Sequence, residues 1–151
     1  MAVRDDPFGA FNFLVQLGDA GAPDQVSGGF SDVTGLGGEI QYAEYRNGND
    51  RDSHPRRIPM TSRTEDVVLK RGLIGDLGLF EWFRAGRDGQ REPRTVTITL
   101  LDESRTPVCQ FVLHRAQPKK WVGPTLAATG GGEVAMEELH LVSEGIDFRS
   151  V

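Results

Sequence analysis

The sequence predicts a mainly β chain with one short α-helix. The expected packing is a small antiparallel β-barrel or sandwich of about six or seven strands with the helix on its flank. Three observations carry this. Several segments alternate apolar and polar residues with period two. The chain's 19 glycines fall in short clusters, as turns between short strands require. One segment, 73–86, instead spaces its apolar residues at helical intervals.

In chain order, "FNFLVQL" places Phe11, Phe13, Val15 and Leu17 on one face of a strand. "GDAGAPD" is a turn. "QVSGGFSDVTGLGGEIQYAEYR" is strand-like but interrupted by glycines, with Ile40 and Tyr42 on one face and Glu39, Gln41 and Ala43 on the other. A long polar stretch, "YRNGNDRDSHPRRIP" (45–59), then reads as a loop. Residues 65–72 form a further short strand. In the helical segment, Leu73, Leu77, Phe80 and Phe83 share a face, Asp76 caps the start and Gly86 marks the stop. Gly75 and Gly78 weaken its first turn by about 1 kcal/mol each relative to alanine.

"RTVTITLLD" is the plainest strand, with Val96, Ile98 and Leu100 opposite Thr95, Thr97 and Thr99. With "VCQFVLHRA" (108–116) it makes a β-hairpin over 95–116, followed by an irregular connection, "QPKKWVGPTLAATGGGE". In "EVAMEELHLVSEGIDF", Val134 and Met136 are in one phase and Leu139 and Leu141 in the other, so a strand there needs a bulge near Glu137–Glu138. A helix over 133–143 is the rival reading, because Glu, Met and Leu are good helix formers.

Length and composition fit a single domain over 1–151. The net charge of -5 argues against a general nucleic-acid binder. The lone Cys109 excludes an intramolecular disulfide. The N-terminal "MAVRDDPFGAF" has no apolar signal-peptide core, which implies synthesis in the cytoplasm without a signal peptide, and no run is long and apolar enough to span a membrane.

No enzyme signature emerges. His54, His114 and His140 lack metal-ligand spacing, and the glycine clusters contain neither a phosphate-binding loop nor a nucleophile elbow. No catalytic, cofactor or metal site is expected. What stands out is charge. Residues 46–63 hold five arginines against Asp50 and Asp52, and 133–151 hold five acids against Arg149. Two solvated faces would produce this. So would a head-to-tail contact in which one copy's basic loop meets another's acidic surface.

Four stretches together resemble one family: "DPFGAFNFLVQL", "GGFSDVTGLGGEIQYAEYRNGND", "VVLKRGLIGDLGLFEWF" followed by "RTVTITLLDE", and "KKWVGPTLAATGGGEVAMEELHLVSEG". They are similar, in order, to tail tube proteins of contractile phages and inner tube proteins of extracellular contractile injection systems. The most specific parts are F-S-x-V-x-G-L at 30–36, L-K-R-G at 69–72, Trp82, and K-W-x-G-P at 120–124. The resemblance implies hexameric rings, with strands completed by neighbouring subunits, stacked into a rigid hollow conduit inside a contractile sheath. The particle would be a virion tail or an injection system.

The partners it implies are further copies of the chain, the sheath protein, baseplate, hub and spike proteins, a cap or terminator, and luminal cargo, either protein effectors or DNA. It also implies an extended inter-subunit loop at 46–63 and contacts through Arg46, Asp50, Arg51, Arg56, Arg57, Trp121, Glu137, Glu138 and Glu144. The "GDAGAPDQVSGG" insert departs from the family pattern by lengthening the first turn. The alternatives are a hub or tube-initiating paralogue at the baseplate and, in a different class, a monomeric β-barrel that binds a small ligand.

Overall fold

The computed structural model describes residues 3–18, 26–49, 51, 54–130 and 133–151. Among these, the strands are β1 (Phe13–Leu17), β2 (Val26–Gly28), β3 (Asp32–Thr34), β4 (Gly38–Tyr45), β5 (Arg56–Thr64), β6 (Val67–Gly72), β7 (Arg94–Leu101), β8 (Pro107–Val122), β9 (Met136–Val142) and β10 (Gly145–Ser150). The helix α1 (Gly78–Arg87) lies between β6 and β7. The mainly β class with one flanking helix is the predicted one. The ten strands exceed the expected six or seven because short β2 and β3, the two-sided β5 and the separate β10 carry weak alternation signals.

The main sheet runs β2-β1-β7-β8-β9-β6-β3 with β10 also on β8, while β4 and β5 form a separate pair. All pairings are antiparallel. The 16-residue β8 organises the body. Its first half lies between β7 and β10, and its second half pairs with β9. β9 and β10 together run antiparallel along the whole of β8, separated only by Ser143 and Glu144. At that gap Arg115 takes a left-handed φ of 49°, and the Glu144 amide donates to the His114 carbonyl at 2.9 Å. The ribbon therefore bends, and one strand serves two layers.

The core fills the space between these layers. Val15, Leu17, Val96, Ile98 and Leu113 come from one side, and Val67, Leu69, Leu139 and Leu141 from the other. The helix closes the core with Leu79 and Trp82. The Trp82 indole donates to the Glu92 carbonyl at 2.9 Å, so its one polar atom is satisfied.

Four sequence expectations change. The helix begins at Gly78, just past the expected Asp76 start, but its buried face is Leu79 and Trp82, whereas Leu73 and Leu77 are exposed. Asp76 still organises the start, accepting a hydrogen bond from the Gly78 amide at 2.9 Å. The extended loop ends before Arg56, because Arg56–Thr64 is strand β5. Strong charge and Pro59 conceal that strand, and β5 tolerates the proline because it pairs along one edge only. The connection predicted to be irregular is the second half of β8 as far as Val122. Finally, β9 is a strand without a bulge, paired with β6 in unbroken register from Met136 to Leu141.

Candidate functional site

The β4–β5 hairpin projects from the body as an arm. Its strands pair from Gly38↔Thr64 to Tyr45↔Arg56, with an irregularity between Ile40 and Tyr42. Every residue of β5 from Arg56 to Arg63 is exposed. So are Ile40, Tyr42 and Tyr45 on β4, with Met60 on β5 at 64%. Directly opposed residues share a face, so Tyr42 and Pro59 lie on one side and Ala43 and Ile58 on the other. The arm thus offers apolar groups on both faces, and a two-stranded ribbon of this kind is marginal in water by itself.

The root of the arm is firmly held. Thr64 Oγ1 donates to the Ser143 carbonyl at 3.1 Å, and the Glu65 amide to the Gly37 carbonyl at 3.1 Å. Lys119 Nζ meets Asp66 Oδ2 at 2.6 Å. Gly35 turns the chain with a φ of +85°, and a Cβ there would lie 2.0 Å from the Asp66 carbonyl oxygen. Only glycine fits that crossing.

At the end of the β6–β9 pair away from the root lies a buried polar junction. Arg71 and Glu137 are direct partners across β6 and β9, and both are buried. Arg71 Nε donates to Glu137 Oε1 at 2.6 Å, and the Trp121 indole donates to Glu137 Oε2 at 3.2 Å. The Arg71 guanidinium also donates to the Asp76 carbonyl at 3.0 Å and lies 5.6 Å from the centre of the Phe30 ring. Phe30, Arg71 and Trp121 come from F-S-x-V-x-G-L, L-K-R-G and K-W-x-G-P respectively. Three separated motifs therefore meet around one ion pair.

Residues 9–147 match the family model of the T4-like virus tail tube protein gp19. The chain belongs to this family. It is a structural tail tube protein. Among solved structures, a chain of the anti-feeding prophage baseplate is 23% identical over 96% of this chain and 97% of that one, with a TM-score of 0.84. A chain of the sheath–tube complex of the extracellular contractile injection system PVC is 24% identical over 97% and 94%, with a TM-score of 0.83. Hcp1 from Flavobacterium johnsoniae shares the fold more loosely, at 15% identity over 89% and 94% and a TM-score of 0.54. No curated protein matches the chain in sequence.

Within this tube-protein fold, the predicted contact residues separate into groups. Arg46 and Arg51 are exposed in the arm's loop, and Arg56 and Arg57 on β5. Arg57 faces Glu44 at 3.8 Å, both largely exposed. Asp50 lies outside the described residues. Glu137 is a correction, since it is 2% exposed and bound to Arg71 in the core instead of lying on an acidic surface. Trp121 is half-buried, with its indole on Glu137 and its ring edge-on to Phe80 at 5.0 Å. Glu138 sits near Lys70 at 3.8 Å, and Glu144 pairs with Arg115 at 3.2 Å.

Arg71 is the residue missed in the sequence. It shares a strand face with Val67 and Leu69, as Glu137 does with Leu139 and Leu141, so opposite charges in two core phases were the available signal. Among the described residues, no three acidic, histidine or cysteine side chains group as a metal site, and no helix is long and apolar enough to cross a membrane.

Proposed function

We propose that the chain assembles into hexameric rings that stack as the hollow inner tube of a phage-tail-like particle, with the arm linking adjacent rings. The observation that carries this reading is the arm itself: a hairpin exposed on both faces, rooted rigidly and tipped with arginines, in a chain of the tail tube family. Arg46, Arg51, Arg56 and Arg57 would meet the neighbouring ring, with Asp50 in the same loop. Of the acidic contacts expected in the C-terminal segment, Glu138 and Glu144 are the two that reach the surface, each beside a cation of its own chain. Trp121 would act from inside, by holding the 120–124 segment in place.

The contractile sheath, baseplate, hub, spike and cap are the remaining partners, and protein effectors or DNA the cargo. Similar chains in a sheath–tube complex and in a tube-terminating cap support that placement. The tube conducts and catalyses nothing. The tail tube family match favours the main tube subunit over a hub paralogue.

Electron microscopy of the concentrated protein, or of intact particles, should show rings or tubes containing this chain. A strictly monomeric protein even inside particles would overturn the proposal. Reversing Arg56 and Arg57 to glutamate should reduce tube yield while leaving the subunit folded. Each exposed pair contributes only about 0–1 kcal/mol, but repetition around a ring multiplies the effect.

A further inference from the structure

We infer that the surface receiving the arm is the opposite pole of the next copy along the axis, formed by the β6–α1 loop and residues 133–135 that lead into β9; this rests on the stacking proposed above. The β6–β9 pair runs from root to pole. Val67↔Leu141 lies at the arm's root and Gly72↔Met136 at the far end. At about 3.4 Å per residue, the two ends are roughly 17 Å apart.

That pole is apolar. Ile74 is 73% exposed, Leu77 58% and Val134 73%. The two segments form one surface, because the Leu73 amide donates to the Ala135 carbonyl at 2.9 Å. The pole is also acidic. Segments 72–81 and 121–138 contain Asp76, Glu81, Glu133, Glu137 and Glu138 and no lysine, arginine or histidine. Glu137 is neutralised inside by Arg71, which also meets the Asp76 carboxylate at 3.5 Å, and Glu138 has Lys70 nearby, which leaves Glu81 and Glu133 as the outward charge. The far part of the arm, 46–57, has four arginines against two aspartates, set beside exposed Tyr42, Tyr45 and Ile58.

The two surfaces therefore match in kind and oppose in charge. An arm-to-arm contact would place basic tips against each other, which disfavours a closed two-fold dimer. An arm on one end and its acceptor on the other is a heterologous arrangement, and repetition of it produces an open filament. This moves the acidic partner of the arm from the C-terminal strand, where most acids are already paired, to the pole.

The test uses the full chain, with tubes counted by electron microscopy and sedimentation. The unmodified protein should form tubes; failure there overturns the stacking proposal itself. Ile74→Glu with Leu77→Glu should reduce tube yield roughly tenfold or more while the circular dichroism spectrum is retained. Normal tubes from that variant would overturn the inference and leave the stacking proposal standing. Should the apolar variant misfold, the charge exchange decides. Glu81→Arg with Glu133→Arg, and separately Arg56→Glu with Arg57→Glu, should each suppress tubes, and the four changes together should restore them. Persistent loss in the fourfold variant, with each protein folded, places the acceptor elsewhere.

Discussion

The body and the arm are built from the same ten-strand repertoire, yet they solve opposite problems. In the body β6, β7 and β9 bury their apolar faces in one core, and even the charged Arg71 and Glu137 are closed in. In the arm, β5 is exposed from Arg56 to Arg63. The body thus closes a core within a single chain, whereas the arm keeps both faces in solvent. The contrast teaches that stability and assembly are divided between regions, so substitutions should separate them.

The largest expected effect is in the body. Glu137→Ala takes away the buried partner of Arg71 and leaves only the more distant, half-exposed Asp76 carboxylate at 3.5 Å, and should cost about 3 kcal/mol in subunit stability, measured by urea unfolding below the assembly concentration. Replacing both partners with apolar residues, Arg71→Met with Glu137→Leu, should cost much less, because no charge is then stranded. A double variant as unstable as the single one would show that the pair matters through shape, not charge. Next comes Trp121→Phe, which removes the indole donor to Glu137 while keeping a ring against Phe80. A hydrogen bond to a buried charged group is worth about 1.5–3 kcal/mol, and the unfolding midpoint should fall accordingly.

These same residues mark where the sequence was legible and where it was not. Val96 and Ile98 alternate with threonines, so β7 and its hairpin were plain. The C-terminal strand reads as needing a bulge because Val134 and Met136 are out of phase with Leu139 and Leu141, on the assumption that apolar residues alone mark the core face. The assumption fails at Glu137, where a cross-strand arginine answers the charge, a relation between positions 66 apart that no local pattern reveals. The second half of β8 was hidden by Pro118, Lys119 and Lys120, since a strand that leaves one layer for another loses its simple alternation at the bend. The arm's loop was legible as a feature, but β5 was not legible as a strand. A ribbon with two exposed faces has no buried phase to betray it.

In the arm, Ile58→Ser with Met60→Ser should shift subunit stability by no more than about 0.5 kcal/mol, as exposed substitutions do. The same variant should form few tubes by electron microscopy. Equal losses of stability and assembly would erase the division between the two regions.

The smallest effect concerns the N-terminal strap, which belongs to the body yet lies on its surface. Arg4 grips Glu103 with two hydrogen bonds, of 2.9 and 3.0 Å, and stacks 4.0 Å from the centre of the Phe8 ring. The guanidinium, assisted by the backbone amide of Glu103, lowers the Glu103 carboxyl to about 2 from its ordinary 4.5. Above about pH 4.5 the carboxylate is ionised in folded and unfolded chains alike, and the strap's stabilisation is fully present. Between about 4.5 and 2 the unfolded chain takes up a proton that the folded chain does not, so this stabilisation is lost as the pH falls. Because Glu103 is 63% exposed, solvent and salt screen the pair and the loss should be small. Glu103→Gln should flatten the unfolding midpoint across that window relative to the unmodified chain, and 1 M salt should do the same to a lesser degree. Identical pH profiles for the two proteins would show that the strap is a contact without energetic weight, and that even the body keeps its stability inside.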